Sequence, residues 1–130
     1  VREAIENLGA ERIGHGVRVM EDESVTALAR EHGAVFEVCV TSNFQSGVVK
    51  SLAEHPLPRM LAAGLHVTIN TDDPSVSRIT LTREYQDVCE ELKVTMDALK
   101  RSILLAAQSA FIKDDEKKNL VDSLKKELNL

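Results

Sequence analysis

The chain has 130 residues, 43% of them hydrophobic, enough apolar material for a packed core and too much for a disordered tail. With 16 Lys and Arg against 21 Asp and Glu, the net charge is −5 and is spread along the sequence. The basic stripe that draws a protein to phosphate backbones is absent, which excludes nucleic acid as a partner. No apolar run approaches the roughly 20 residues that cross a bilayer, and no charged start with an apolar stretch behind it opens the chain, so the sequence predicts a soluble, cytoplasmic protein without membrane contact.

Cys39 and Cys89 form no CxxC pair and lie near no histidine grouping, so they read as reduced, inert core thiols. In chain order, Val1 to Leu8 reads as the end of a helix stopped by Gly9, and the absence of an N-cap residue before Val1 gives the start the look of a cut. Glu11 to Gly14 is a short predicted strand running into His15-Gly16. A helix follows, with Asp22 as N-cap, Val25, Leu28, Ala29 and His32 on one face, and Gly33 as the left-handed stop. Ala34 to Val40 is the second strand and Thr41 to Gly47 a polar loop. Val48 to Ala53 and Pro56 to Ala63 read as helices, the second closed by Gly64, and Leu65 to Asn70 is the third strand. After a loop from Thr71 to Ser77 the chain is helical: Leu81 to Leu92, then Met96, Leu99, Ile103, Ala107 and Phe111 on one face, then Leu120, Leu124 and Leu128 on another.

Strands alternating with helices predict βαβ units and a parallel sheet. Three strands fall short of the eight of a β/α barrel. The expected fold is therefore α/β, the C-terminal βα units of a (β/α)8 TIM-type barrel plus C-terminal helices, an incomplete barrel forming residues 1–130 of a single domain. A doubly wound sheet is the alternative, without the GxGxxG turn that would favour it.

A barrel carries its chemistry at the C-terminal strand ends. Three polar groupings fall there: Gly14-His15-Gly16, Thr41-Ser42-Asn43 and Asn70-Thr71-Asp72-Asp73-Pro74. Strand alternation puts Leu65, Val67 and Ile69 on one face and His66, Thr68, Asn70 and Asp72 on the other, so Asp72 would point along the barrel axis, where a carboxylate can bind a metal or polarise a water. The competing reading makes Asp72 and Asp73 an Asx turn or a cap for the stretch after Pro74. His15, between two glycines, reads as catalytic or as structural. His32 lies late in a helix, His55 is placed to cap one, and His66 starts its strand at the far end from the chemistry. Glu37, inside an apolar strand, needs a hydrogen-bonded partner in the barrel interior.

Together, Glu11-Arg12-Ile13-Gly14-His15-Gly16-Val17, Cys39 followed by Thr41-Ser42-Asn43, and Asn70-Thr71-Asp72-Asp73-Pro74, in this order and spacing, resemble the adenosine deaminase family. Glu54-His55-Pro56, Thr80-Leu81 with Glu84-Tyr85, and Ala110-Phe111 support the resemblance, which covers essentially the whole chain. It implies a zinc-dependent β/α barrel that hydrolyses the 6-amino group of adenosine to give inosine and ammonia. It also implies roles: His15 orienting and helping to deprotonate the metal-bound water, Asp72 as a metal ligand in contact with that water, and Asp73 hydrogen-bonding the purine ring of a small nucleoside substrate.

The family's His-x-His pair and His-Ala-Gly-Glu motif do not occur here, so the three histidine ligands and the ring-protonating acid are expected upstream. Val40 stands where the family commonly has Pro. Gly14 and Thr71 replace the Asp and Ser of adenine-specific relatives and favour adenosine. The alternatives are an adenine or other purine-base deaminase, and a non-catalytic truncated remnant. The cytidine deaminase type, with its Cys ligands, does not fit.

Overall fold

The computed structural model describes residues 1–130. The chain opens with helix α1 (Arg2–Glu6) and strand β1 (Arg12–Gly14), followed by a 3-10 turn at Val17–Glu21. Helix α2 (Glu23–His32), strand β2 (Val35–Val38) and helix α3 (Val40–Gln45) come next, then a 3-10 turn at Leu52–Glu54 and helix α4 (Leu57–Ala62). Strand β3 (His66–Ile69) and helices α5 (Pro74–Ser77), α6 (Leu81–Glu90), α7 (Met96–Gln108) and α8 (Asp114–Leu128) complete it.

The three strands form one parallel sheet in the order β1-β2-β3. Ile13 lies opposite Phe36, and Phe36 opposite Val67. One face of this row is apolar and sealed: Phe36, Val38, Val67 and Ile69 pack with Ala29, Leu57, Met60 and Val88 from the covering helices in a single core cluster. The other face carries Glu37 and Thr68, and the Thr68 hydroxyl donates to the Phe36 carbonyl. The fold is thus mixed α/β with an open sheet, one edge of β1 and one of β3 having no strand partner. No helix is long and apolar enough to cross a membrane.

Local rules place most boundaries. Asp22 caps α2 by accepting the Ser24 and Val25 N–H groups, and Gly33 ends it in the left-handed conformation at φ 75°. Five predicted stretches differ. The strand expected to run to Val40 stops at Val38, and the expected loop after it is largely helix α3. The cause is tertiary: the buried Glu84 carboxylate of α6 accepts the N–H and the hydroxyl of Thr41, holding a helical turn that local composition disfavours. Val48 to Ala53 is not a helix. Gly47, at φ 76°, turns the chain back so that Val49 N–H donates to the Asn43 carbonyl, and only the 3-10 turn remains. The loop Thr71 to Ser77 contains α5, started by Asp73 and Pro74. Helix α7 ends at Gln108, so Phe111 lies beyond the face it was expected to extend; the Ser109 hydroxyl donates back to the Leu105 carbonyl at the break. Helix α8 buries none of its residues and packs on α7.

Candidate active site

All three polar groupings lie just past the C-terminal ends of the parallel strands. After β1 the ladder continues for one bond, His15 N–H to the Glu37 carbonyl at 3.0 Å. The chain then turns through two successive left-handed residues, His15 at φ 54° and Gly16 at φ 63°. Asp72 is left-handed too, at φ 60°. For a residue with a Cβ this conformation costs roughly 1–2 kcal/mol. Such strain gathers where the surroundings over-determine a side chain's direction.

The two strained residues meet. His15 Nε2 lies 3.6 Å from Asp72 Oδ2, both side chains half exposed, and the Ser42 hydroxyl donates to the same oxygen at 2.8 Å. Each of the three strand ends thus contributes one group to a single polar point. The pair stands between two clefts. One, of about 470 Å³, lies toward Glu37, Cys39, Asn70 and Tyr85; the other, of about 460 Å³, lies toward Gly16, Arg18, Ser46 and Val48.

Strand alternation does not carry as far as Asp72, because β3 ends at Ile69 and the left-handed turn re-aims the carboxylate. Asp73 is directed elsewhere: its Oδ1 accepts the Ser75 and Val76 N–H groups and caps α5, the arrangement of the competing sequence reading. Glu37 finds the partner it requires in Arg12, whose Nε donates to Oε1 at 2.8 Å. The Arg12 guanidinium lies 4.6 Å from the Phe111 ring centre. His32 and His66 are exposed and outside the site, His66 Nδ1 being 3.3 Å from the Gly33 carbonyl at the opposite end of β3.

Behind His15 lies a buried row. Leu57 N–H donates to His55 Nδ1 at 3.1 Å, His55 Nε2 is 3.1 Å from Asn43 Oδ1, and Asn43 Nδ2 is 3.2 Å from His15 Nδ1. Asn43 and His55 are each 3% exposed. Sequence reasoning gave His55 only the capping role, which it does perform, and gave neither Asn43 nor Glu84 a function of its own. A signal existed: a buried polar side chain must find a partner, and Glu84 sits on a helix face otherwise defined by Val88 and Tyr85.

A family model described as adenosine deaminase matches residues 1–127. The chain belongs to the adenosine deaminase family. It is 40% identical over 123 residues to an adenosine deaminase of Serratia proteamaculans, covering 95% of this chain and 37% of that protein. To an adenosine deaminase of Enterococcus faecalis it is 43% identical over 113 residues, covering 87% of this chain and 34% of the relative. It therefore spans little more than a third of the curated relatives it matches. Among solved structures, the adenine deaminase of Arthrobacter aurescens superposes with a TM-score of 0.91 at 32% identity, over 99% of this chain and 39% of the other. An amidohydrolase of Burkholderia ambifaria, crystallised with bound Zn, shares the fold at a TM-score of 0.88 and 24% identity, over 98% of this chain and 36% of its own.

In this member of the adenosine deaminase family the thiol beside the site is inert. Burial, reinforced by the negative charges of Asp72 and Glu84, pushes Cys39 up to about 12. Burial also pushes the His55 imidazole down to about 4, against about 6.5 in an unfolded chain. Between those values the unfolded state holds a proton that the folded state does not. Stability is therefore expected to fall as pH drops from about 6.5 toward 4, by at most about 1.4 kcal/mol per pH unit from this group. Denaturant unfolding near pH 7 and near pH 5 checks this. His55→Gln should be less stable at pH 7 but lose less on acidification than the parent, and an equal loss would mean that His55 does not titrate as described.

Proposed function

We propose that this chain supplies the C-terminal βα units of a single deaminase barrel domain and, within the complete barrel, part of the site for hydrolysis of adenosine to inosine and ammonia. The observation that carries the reading is the meeting of His15 and Asp72 at 3.6 Å from separate strand ends, each held in a left-handed conformation. Two half-exposed groups so placed can work together on one water between the clefts, His15 orienting it and Asp72 accepting a hydrogen bond from it. Asp73 keeps Oδ2 free of the cap, and in its carboxylic acid form that oxygen can donate a hydrogen bond to a purine ring nitrogen, which only accepts.

The donor chemistry at Asp72 suits a zinc ion. Ser42 engages Oδ2, while Oδ1 has no hydrogen-bond donor, which leaves a carboxylate oxygen for a dication that takes Asp, Glu and His ligands. No group of three or more His, Cys, Asp or Glu side chains gathers in this chain, so Asp72 would be one ligand of a set completed elsewhere in the barrel. Bound zinc would supply the Lewis acidity that brings the pKa of water to about 7. The free thiols Cys39 and Cys89 suit the reducing cytoplasm.

The test compares the chain alone with the chain joined to the portion of the Serratia relative that it does not match, hereafter the completed barrel. The completed barrel is expected to hold about one zinc and to deaminate adenosine, while the isolated chain does neither, because one carboxylate cannot replace a ligand set. Turnover by the isolated chain, or zinc-loaded completed protein without turnover, would refute the assignment. The likeness to the Arthrobacter adenine deaminase favours a second reading, a purine base as substrate. Gly14 and Thr71 argue for the nucleoside, and a panel of adenosine, deoxyadenosine and adenine decides between them.

A further inference from the structure

The row of hydrogen bonds behind His15 starts from a group that can only donate, and this fixes every proton along it. Leu57 N–H donates to His55 Nδ1, so that nitrogen is an acceptor. The neutral His55 ring therefore carries its proton on Nε2 and donates it to Asn43 Oδ1. That sets the orientation of the Asn43 amide. Its Nδ2 faces His15, and Nδ2 also only donates, so His15 Nδ1 is an acceptor. The remaining hydrogen of the neutral His15 ring is then on Nε2, the nitrogen directed at Asp72.

We propose that Asn43 and His55 are positioning residues which, anchored on the Leu57 N–H, lock His15 as its Nε2–H tautomer. His15 then acts in the proposed reaction by donating its Nε2–H to the attacking oxygen beside Asp72, not by removing a proton from the water. This rests on the reading of function given above for its catalytic half, though not for the tautomer itself. The geometry suits a rigid device. Asn43 and His55 are both buried, each with a polar partner on either side, and an unmatched donor or acceptor there would cost about 1–3 kcal/mol. The identity of the protonated nitrogen is set by the bond the other nitrogen makes, as it is for imidazoles that serve metals and nucleophiles. Proton removal from the water falls to Asp72, the one carboxylate at the point where the three strand ends meet.

The experiment is nitrogen-15 NMR of the completed barrel with labelled histidine, His15 being assigned by loss of its signals in His15→Gln. At a pH where the ring is neutral, His15 is expected to show an unprotonated Nδ1 and a protonated Nε2. Asn43→Asp presents an acceptor where Nδ2 was and is expected to invert the tautomer. Its kcat should fall by about tenfold or more while KM changes little. His55→Gln, which leaves the asparagine free to rotate, should give a mixture of the two tautomers. A parent ring that is Nδ1–H, or that averages between both forms, overturns the proposal even where no variant folds. An unchanged tautomer in Asn43→Asp overturns it as well. A completed barrel with the Nε2–H tautomer and no turnover on any purine would sink the functional reading and leave the lock standing.

Discussion

Replacing Asp72 by alanine in the completed barrel is expected to lower bound zinc and abolish turnover, the largest functional effect of any single change in this chain. The carboxylate is the only acidic group at the point where the strand ends converge, and it touches both His15 and Ser42. Its removal takes a ligand from the metal and an acceptor from the water together. The neighbouring aspartate behaves differently. Asp73 caps α5 with Oδ1, so Asp73→Ala loses a cap worth about 0.5–2 kcal/mol along with any bond to substrate. Asp73→Asn keeps an oxygen for the cap and puts an amide N–H donor where Oδ2 stood. It is expected to retain zinc and to lose at most about tenfold in kcat/KM, because a neutral donor to the ring nitrogen remains and one such bond is worth about 0.5–1.5 kcal/mol. His15→Ala should retain metal and lose most of the rate. Elemental analysis of zinc per chain beside steady-state kinetics decides. Loss of zinc in Asp73→Asn with zinc retained in Asp72→Ala would reverse the two assignments.

Gly16→Ala is expected to cost roughly 2–5 kcal/mol, a large fraction of the 5–15 kcal/mol that holds a typical domain together. Two independent penalties meet there. Gly16 is left-handed at φ 63°, which charges an alanine about 1–2 kcal/mol. A Cβ at this position would also lie 2.7 Å from Phe36 Cδ1 and 2.9 Å from Ile13 Cγ2, and Phe36 is fully buried and cannot yield without disturbing the core. Gly9 separates the two terms, because its φ of 62° is nearly the same while nothing lies within 4 Å of its added Cβ. Gly9→Ala should thus cost only the conformational part. Chemical unfolding of both variants gives the difference, and equal costs would mean that the aromatic ring has room after all.

Legibility in the sequence followed the range of the forces involved. The three strands, their parallel pairing, the Asp22 and Gly33 ends of α2 and the Pro56 start of the α4 region come from neighbours in sequence, and they were readable there. Helix α3 was not, because its turn at Thr41 is held by Glu84 from a different helix. The candidate site divides the same way. His15 and Asp72 were legible as strand-end residues, although the strand's alternation was the wrong reason for Asp72, whose aim comes from a left-handed turn beyond the strand. Both readings of the aspartate pair had physical merit: Asp73 took the cap and Asp72 the convergence point. Asn43 and His55 were visible as polar residues, but their linkage depends on a backbone N–H placed by the start of α4, which no local pattern encodes.

Strand order equals chain order in this sheet, and that has a consequence for how the molecule is made. Each new strand pairs with the one synthesised just before it, so the sheet can grow from N to C on the ribosome without waiting for a distant partner and with little loop-closure entropy. Arg12 is the exception. It leaves β1 to meet Glu37 early, but its last partner is the Ser109 carbonyl, 97 residues later, with Phe111 laid against its guanidinium. A nascent chain halted before Ser109 would hold β1, β2 and β3 already paired while β1 is still unlatched.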